Sequence, residues 1–291
     1  MTLHRHNPRF LRTPKRVALA GDWHANTDYA VEAIAHARRR NADVVIHLGD
    51  FGFHFKRDYL NALDRALAQH DLVLGFVDGN HENFDWLLAQ PVAADGLRYL
   101  RQRIVHLPRG KRWRWGNTRC LAVGGAHSID SFLRTPQVTW WPQEEITAEQ
   151  ARSITDGGPG VDAMFCHDCP AGIAVPGMER DRYGFPAEAV AASERHRQVL
   201  RGIVDGVRPT RLWHGHFHHR YQAVLDGDGY RSVIDGLGRD KDPIDNNMVV
   251  VNLAALGNHQ AASRDGQIRA EHAMLSPDEE GEPPTLSVLL G

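Results

Sequence analysis

The chain has 291 residues, 42% of them hydrophobic and 24% charged, with a formal net charge of -2. This composition suits a globular body that buries a sizeable core without staples, and it excludes a global field that would attract nucleic acid or anionic membrane. Three cysteines, Cys120, Cys166 and Cys169, are too few and odd in number for a disulfide scaffold, which points to a reducing, cytoplasmic setting.

Residues 1–14 are polar and basic with two prolines, and predict a flexible basic arm. Val17 to Ala20 is a short apolar run that ends in Gly21-Asp22, the mark of a buried strand. Helical spacing follows over 29–40. Val44 to Leu48 is a second strand, ending in Gly49-Asp50, and a helical pattern covers 57–70. Leu72 to Val77 is a third strand, ending in Asp78-Gly79-Asn80-His81, followed by a short helix over 83–90. Strands alternating with helices predict βαβ units and an α/β fold with a parallel sheet. In such sheets ligands gather beyond the carboxyl ends of the strands, where all three motifs fall.

The pattern then changes. Arg112 to Trp115 and Arg119 to Val123 flank Gly116-Asn117, a hairpin signal with Trp113 and Trp115 on the buried face. Thr147 and Gln150 form a capping box for a short helix. Ala163 to Cys166 is a strand with His167 directly after it. A helix is expected over 186–204, and Arg211 to Trp213 leads into His214-Gly215-His216-Phe217-His218. Tyr221 to Leu225, Tyr230 to Ile234 and Met248 to Leu253 predict antiparallel strands. One domain over 15–258 is expected, with a polar tail over 259–291. No apolar run approaches the ~20 residues of a membrane span.

Five short blocks carry the chemistry: Asp22-Trp23-His24, Gly49-Asp50, Gly79-Asn80-His81-Glu82, His167-Asp168 and Gly215-His216-Phe217-His218. Mixed carboxylate, amide and imidazole donors at strand ends supply ligands for two divalent ions, a device suited to phosphoester hydrolysis. A pair of ions needs a bridging group, and Asp50, central among the blocks, is the natural one. Asp22 and His24, two residues apart, can chelate from one side. His216 and His218 let one loop serve both ions, while Asn80 adds an amide oxygen and His167 an imidazole.

In this order the blocks resemble the calcineurin-like metallophosphoesterase superfamily, whose pattern is D-x-H, G-D, G-N-H-[ED], H, G-H-x-H. The segments Gly124 to Asp130 and Trp140 to Glu144 resemble a small bacterial and phage branch of it. The resemblance implies a four-layer βαβα sandwich of two mixed sheets flanked by helices. It implies one metal on Asp22, His24, Asp50 and His218, and a second on Asp50, Asn80, His167 and His216. A bridging hydroxide is the implied nucleophile. His81 is placed against the phosphate and given the leaving-oxygen proton, work that its ordinary pKa near 6.5 suits. Protein serine/threonine phosphatases of the superfamily carry a carboxylate and an arginine where this chain has Phe53 and His54, so that branch is disfavoured.

The expected cofactor is a pair of divalent ions, Mn²⁺ first, with Fe and Zn²⁺ as alternatives. The expected partner is a phosphoester small molecule or nucleotide, cleaved by phosphodiesterase action, with no membrane. One rival is a DNA/RNA nuclease using Arg109 to Arg114 and their interleaved tryptophans; another is a catalytically silent metal-binding interaction module. His54 and His127 are candidates for substrate contact, Asp168 for orienting His167 or His216, and Trp140 and Trp141 for stacking on a base. The spacing of Cys166 and Cys169 alone does not make a zinc or redox site.

Overall fold

A computed structural model of the protein describes residues 8–178 and 184–257. The first sheet holds β1 (Arg16–Ala20), β2 (Val44–His47), β3 (Leu74–Phe76), β4 (Arg98–Tyr99) and β5 (Ile104–His106), in the order β1-β2-β3-β5-β4. β1, β2, β3 and β5 run parallel; β4 is an antiparallel edge. The second sheet holds β6 (Arg112–Trp115), β7 (Thr118–Val123), β8 (Ala163–Cys166), β9 (Arg211–His214), β10 (Tyr221–Gly227) and β11 (Tyr230–Gly236). Its order is β10-β11-β9-β8-β7-β6, with four parallel strands between two antiparallel edges.

Helices α1 (Thr27–Arg39), α2 (Arg57–Gln69) and α3 (Phe84–Leu88) belong to the first sheet; α4 (Ala148–Asp156) and α5 (Ala187–Val207) belong to the second. The layers therefore run helix, sheet, sheet, helix. Alternation along each strand divides the apolar residues among three cores. Ala18 and Ala20 of β1 face α1 and α2, while Val17 and Leu19 face the other sheet. In β8, Ala163 and Phe165 point between the sheets, and Met164 and Cys166 point to α5. The Thr147–Gln150 capping box opens α4 as expected.

Two expectations are corrected here. The loose arm is ordered from Pro8: Phe10 is fully buried between the sheets, and its carbonyl accepts a hydrogen bond from Trp115 Nε1 at 2.9 Å. A Cβ on Gly75 would overlap the Phe10 ring, so that glycine makes room for the arm. Residues 1–7 and the tail over 259–291 lie outside the described residues. The last three strands do not form one antiparallel set. β11 pairs parallel with β9, and β12 (Met248–Asn252) crosses to the first sheet as the antiparallel neighbour of β1.

Among the described residues no helix is long and apolar enough to cross a membrane.

Candidate metal centre

The parallel strands of both sheets point their carboxyl ends at one place. Asp22 and His24 follow β1, Asp50 follows β2, Asn80 and His81 follow β3, His167 follows β8, and His216 and His218 follow β9. The chain turns sharply at each end. His24, Asp50, His216 and His218 all have left-handed backbone, with φ of +44, +54, +66 and +60°. Such non-glycine residues are uncommon and gather at functional sites. Gly49, at φ +98°, lets the β2 loop pass against His167, where a Cβ would overlap the imidazole.

Asp50 sits between the two halves. Its Oδ2 is 3.6 Å from His24 Nε2, and its Oδ1 is 3.4 Å from His167 Nε2. Oδ1 also accepts the backbone N–H of Asn80 and of His81, each at 3.0 Å. Asp22 accepts from the backbone N of His216, and its Oδ2 lies 3.0 Å from His218 Nε2. Two sets of donors lie close enough to hold a cation: Asp22, His24 and His218, and Asp22, Asp50 and His167. These two sets share Asp22, where the sequence pattern singles out Asp50; Asp50 belongs to the second set and also faces His24 of the first. His216 falls outside both sets; its ring centroid is 4.9 Å from that of His167. Asn80 Oδ1 is 3.0 Å from His167 Nε2.

The donor chemistry fits divalent ions. Burial opposes ionisation of Asp22, yet the hydrogen bond and charge of His218, with the charge of His167, hold its pKa at about 2. Burial likewise opposes ionisation of Asp50, and His167 overcomes it. Burial also works against charge on His24 and His167, but Asp240 and Asp50 raise the first to about 10, and Asp50 raises the second to about 10. Cationic charge is therefore drawn into the space among these side chains. Both histidines also have their far nitrogen engaged. His24 Nδ1 meets Asp240 at 3.0 Å, and His167 Nδ1 donates to the Leu48 carbonyl at 2.7 Å, so each Nε2 faces the carboxylates.

Supporting residues come from distant loops. Asp240 also accepts from Asn26, the N-cap of α1. The buried Glu82 accepts from the backbone N of Phe51 and of Gly79, which ties the β2 and β3 loops together. Asn80 Nδ2 donates to Ser128 Oγ at 3.0 Å, and Ser128 Oγ donates to Glu144 Oε2 at 2.9 Å. This chain fixes which end of the Asn80 amide faces His167. Ser128→Ala is expected to weaken Mn²⁺ affinity or turnover ~10–100-fold, since outer partners of a metal ligand act on that scale. Calorimetric titration with Mn²⁺ and steady-state kinetics check this; unchanged affinity and unchanged turnover contradict it.

Several expectations change. His81 does not keep an ordinary pKa. Burial lowers it and Arg134 lowers it further; the pull of Asp50 does not compensate, and it falls to about 3. Its Nε2 accepts from Arg134 Nη2 at 3.0 Å, so His81 is a neutral imidazole at neutral pH, not an imidazolium acid. Asp168 orients neither His167 nor His216: it meets His196 of α5 at 2.6 Å, and His196 Nε2 accepts the backbone N–H of Ile146. His54 is exposed, beside Phe53 at the rim. His127 is buried against Glu145 at 2.6 Å. Trp141 is core, with its Nε1 donated to Asp85. Trp140 is half-buried with its Nε1 on Glu144, so neither indole is a free stacking platform. Cys166 and Cys169 are buried thiols whose pKa burial raises, Cys169 to about 12.

The basic hairpin buries its tryptophans and engages Arg112, while Arg114 and Arg119 stay on its exposed face. Trp113 and Trp115 are buried; Arg112 donates to the carbonyls of Ile154 and Gly158. Arg109 is engaged by Asp78 and the carbonyls of residues 143–145. Two contributors, Arg134 and Asp240, carried no motif signal, and the Ser128–Glu144 pair lies in the two segments that resemble the small branch, a resemblance that does not mark it as support for Asn80. Each reaches the site from a loop with no spacing relation to the block it serves.

A family model described as calcineurin-like phosphoesterase matches residues 15–220. No curated protein matches the chain. Among solved structures, a dimetal phosphatase from Danio rerio is similar at 12% identity, over 82% of this chain and 93% of that one, with a TM-score of 0.50. The protein TT1561 of Thermus thermophilus is similar at 12% identity, over 82% of this chain and 99% of that one, with a TM-score of 0.47. At such identity the likeness to the Danio rerio phosphatase speaks for the fold alone.

Proposed function

The chain belongs to the calcineurin-like phosphoesterase family and is a metal-dependent hydrolase of phosphoester bonds, and from that premise we propose that it is a phosphodiesterase acting on nucleotide-like esters, with phosphomonoesters also accepted. The observation that carries the reading is the position of Asp50, with one carboxylate oxygen toward His24 and the other toward His167.

Asp22, His24, Asp50 and His218 would hold one divalent ion, and Asp50, Asn80, His167 and His216 the other. Bound there, the ions supply positive charge to the phosphoryl oxygens and make hydroxide available near neutral pH. The chain's own part is orientation. Asp240 and the Leu48 carbonyl fix the two imidazoles, Ser128 fixes the Asn80 amide, and Glu82 holds the two loops that carry Asp50 and Asn80. His81, neutral, serves as a hydrogen-bond donor through Nδ1, which has no protein partner. Exposed Phe132 and Leu133, directly before Arg134, offer apolar surface for the organic part of an ester. Mixed oxygen and imidazole donors suit Mn²⁺, Fe and Zn²⁺ about equally, and Mn²⁺ is the activating ion proposed. Three free thiols support a cytoplasmic location. A nuclease reading loses part of its support, because Arg109 and Arg112 are consumed inside the protein and Arg114 alone of that run of arginines is exposed.

Turnover of bis(p-nitrophenyl) phosphate and of cyclic nucleotides with Mn²⁺ tests the reading. Removal of metal by a chelator is expected to cost on the order of 100-fold or more, restored by Mn²⁺. Two bound ions with no turnover across a broad ester panel would instead support a silent metal-binding module.

A further inference from the structure

Arg134 ends a single 3-10 turn, Ser131–Leu133, in the loop between β7 and α4. Its side chain is only 10% exposed. Asp130 anchors Nη2 at 2.9 Å, and the same nitrogen donates to His81 Nε2 at 3.0 Å. Nη1 is buried and has no hydrogen-bond partner, and neither has Nδ1 of the His81 ring. A buried guanidinium nitrogen without an acceptor is costly, and most such groups have a partner that completes them. His81 Nε2 lies 3.9 Å from Asp50 Oδ2, so the Arg134 guanidinium is one imidazole away from the candidate metal pair.

The surrounding loop is braced to hold the side chain there. Ser128 and Trp140 are bonded to Glu144, Trp141 to Asp85, and Arg109 to the carbonyls of residues 143–145. The turn is thus fixed at both ends while its cation points inward.

We propose that Arg134 is a substrate-binding residue whose Nη1 takes a non-bridging oxygen of the phosphate being cleaved, so that binding of a dianionic monoester, the additional substrate class, depends on it more than binding of the singly charged diester does. A fixed guanidinium matches phosphate oxygens in geometry and charge, and its attraction grows with the charge of the anion. The inference rests on the phosphoesterase reading above and adds a specificity determinant to it.

The test compares wild type, Arg134→Gln and Arg134→Lys, all loaded with Mn²⁺. Their KM and kcat are measured on p-nitrophenyl phosphate and bis(p-nitrophenyl) phosphate, and inorganic phosphate binding is measured by calorimetry. Losing a charge-assisted hydrogen bond is expected to weaken phosphate binding and raise KM for the monoester ~10–100-fold in Arg134→Gln, with a smaller change for the diester. Arg134→Lys, which keeps the charge but not the fork, is expected to recover part of the phosphate affinity. Phosphate affinity and monoester KM both within about two-fold of wild type, or a lower melting temperature with phosphate binding intact, overturns the proposal. Metal-dependent turnover that survives in such variants leaves the phosphoesterase reading standing; absence of turnover in wild type removes that reading instead.

Discussion

Asp50→Asn is expected to lower Mn²⁺-supported turnover of a chromogenic phosphodiester on the order of 10³-fold while the protein stays folded, the scale reached when one charge-stabilising group leaves an active site. Both halves of the expectation follow from what Asp50 touches. Its Oδ1 accepts two backbone N–H groups, and an asparagine oxygen in the same place keeps both. The backbone there is left-handed, at φ +54°, which asparagine tolerates better than most residues. What disappears is the charge at Oδ2, the oxygen facing His24, and with it the ability to join two cations. Melting curves and elemental analysis should therefore show a folded protein with lost metal, and kinetics a near-silent one. Turnover within about ten-fold of wild type contradicts the mechanism.

Arg109→Ala is expected to destabilise the protein by ~3–5 kcal/mol, the usual cost of breaking a buried ion pair from one side. For a domain of this size that is a drop on the order of 10 °C in melting temperature. Arg109 holds Asp78 at 2.7 Å and donates to the carbonyls of Gln143, Glu144 and Glu145. Without it, Asp78 keeps His106 as its hydrogen-bonding side-chain partner among the described residues, and the carbonyls of residues 143–145 lose a donor. Burial alone would raise the Asp78 pKa, but Arg109 and His106 hold it well below the usual carboxylate range. A depressed carboxylate stabilises the fold above its unfolded value, near 3.9, and this contribution is lost as pH falls through the folded value. Wild type should thus lose more stability than Arg109→Ala on acidification below about pH 4. Thermal melts at neutral and acid pH measure both effects. A mutant with unchanged melting but weakened, salt-dependent binding to DNA would return the hairpin to a nucleic-acid role.

The residues that could hold metal were legible because that chemistry is concentrated. Each ligand block is a short polar run at the end of an apolar strand, and a strand end is easy to recognise from β-branched runs meeting glycine. The α/β layering was legible for the same reason, since strands such as Val44–His47 are apolar on both faces. What escaped were residues whose meaning depends on a distant partner. Asp240 matters only because the chain brings it to His24 from 216 positions away. Arg134 had no pattern around it, and only its turn in space sets it against His81. Phe10 lay among basic residues that outweighed one aromatic ring. The pKa of His81 was misread from its ordinary value because burial and Arg134 are facts of the folded state.

The most direct measurement is anomalous diffraction from crystals grown with Mn²⁺. The account predicts two peaks about 3.5–4 Å apart, with Asp50 contacting both. One should lie beside Asp22, His24 and His218, the other beside Asn80 and His167. A single peak, or a pair of peaks that Asp50 does not touch, would contradict it.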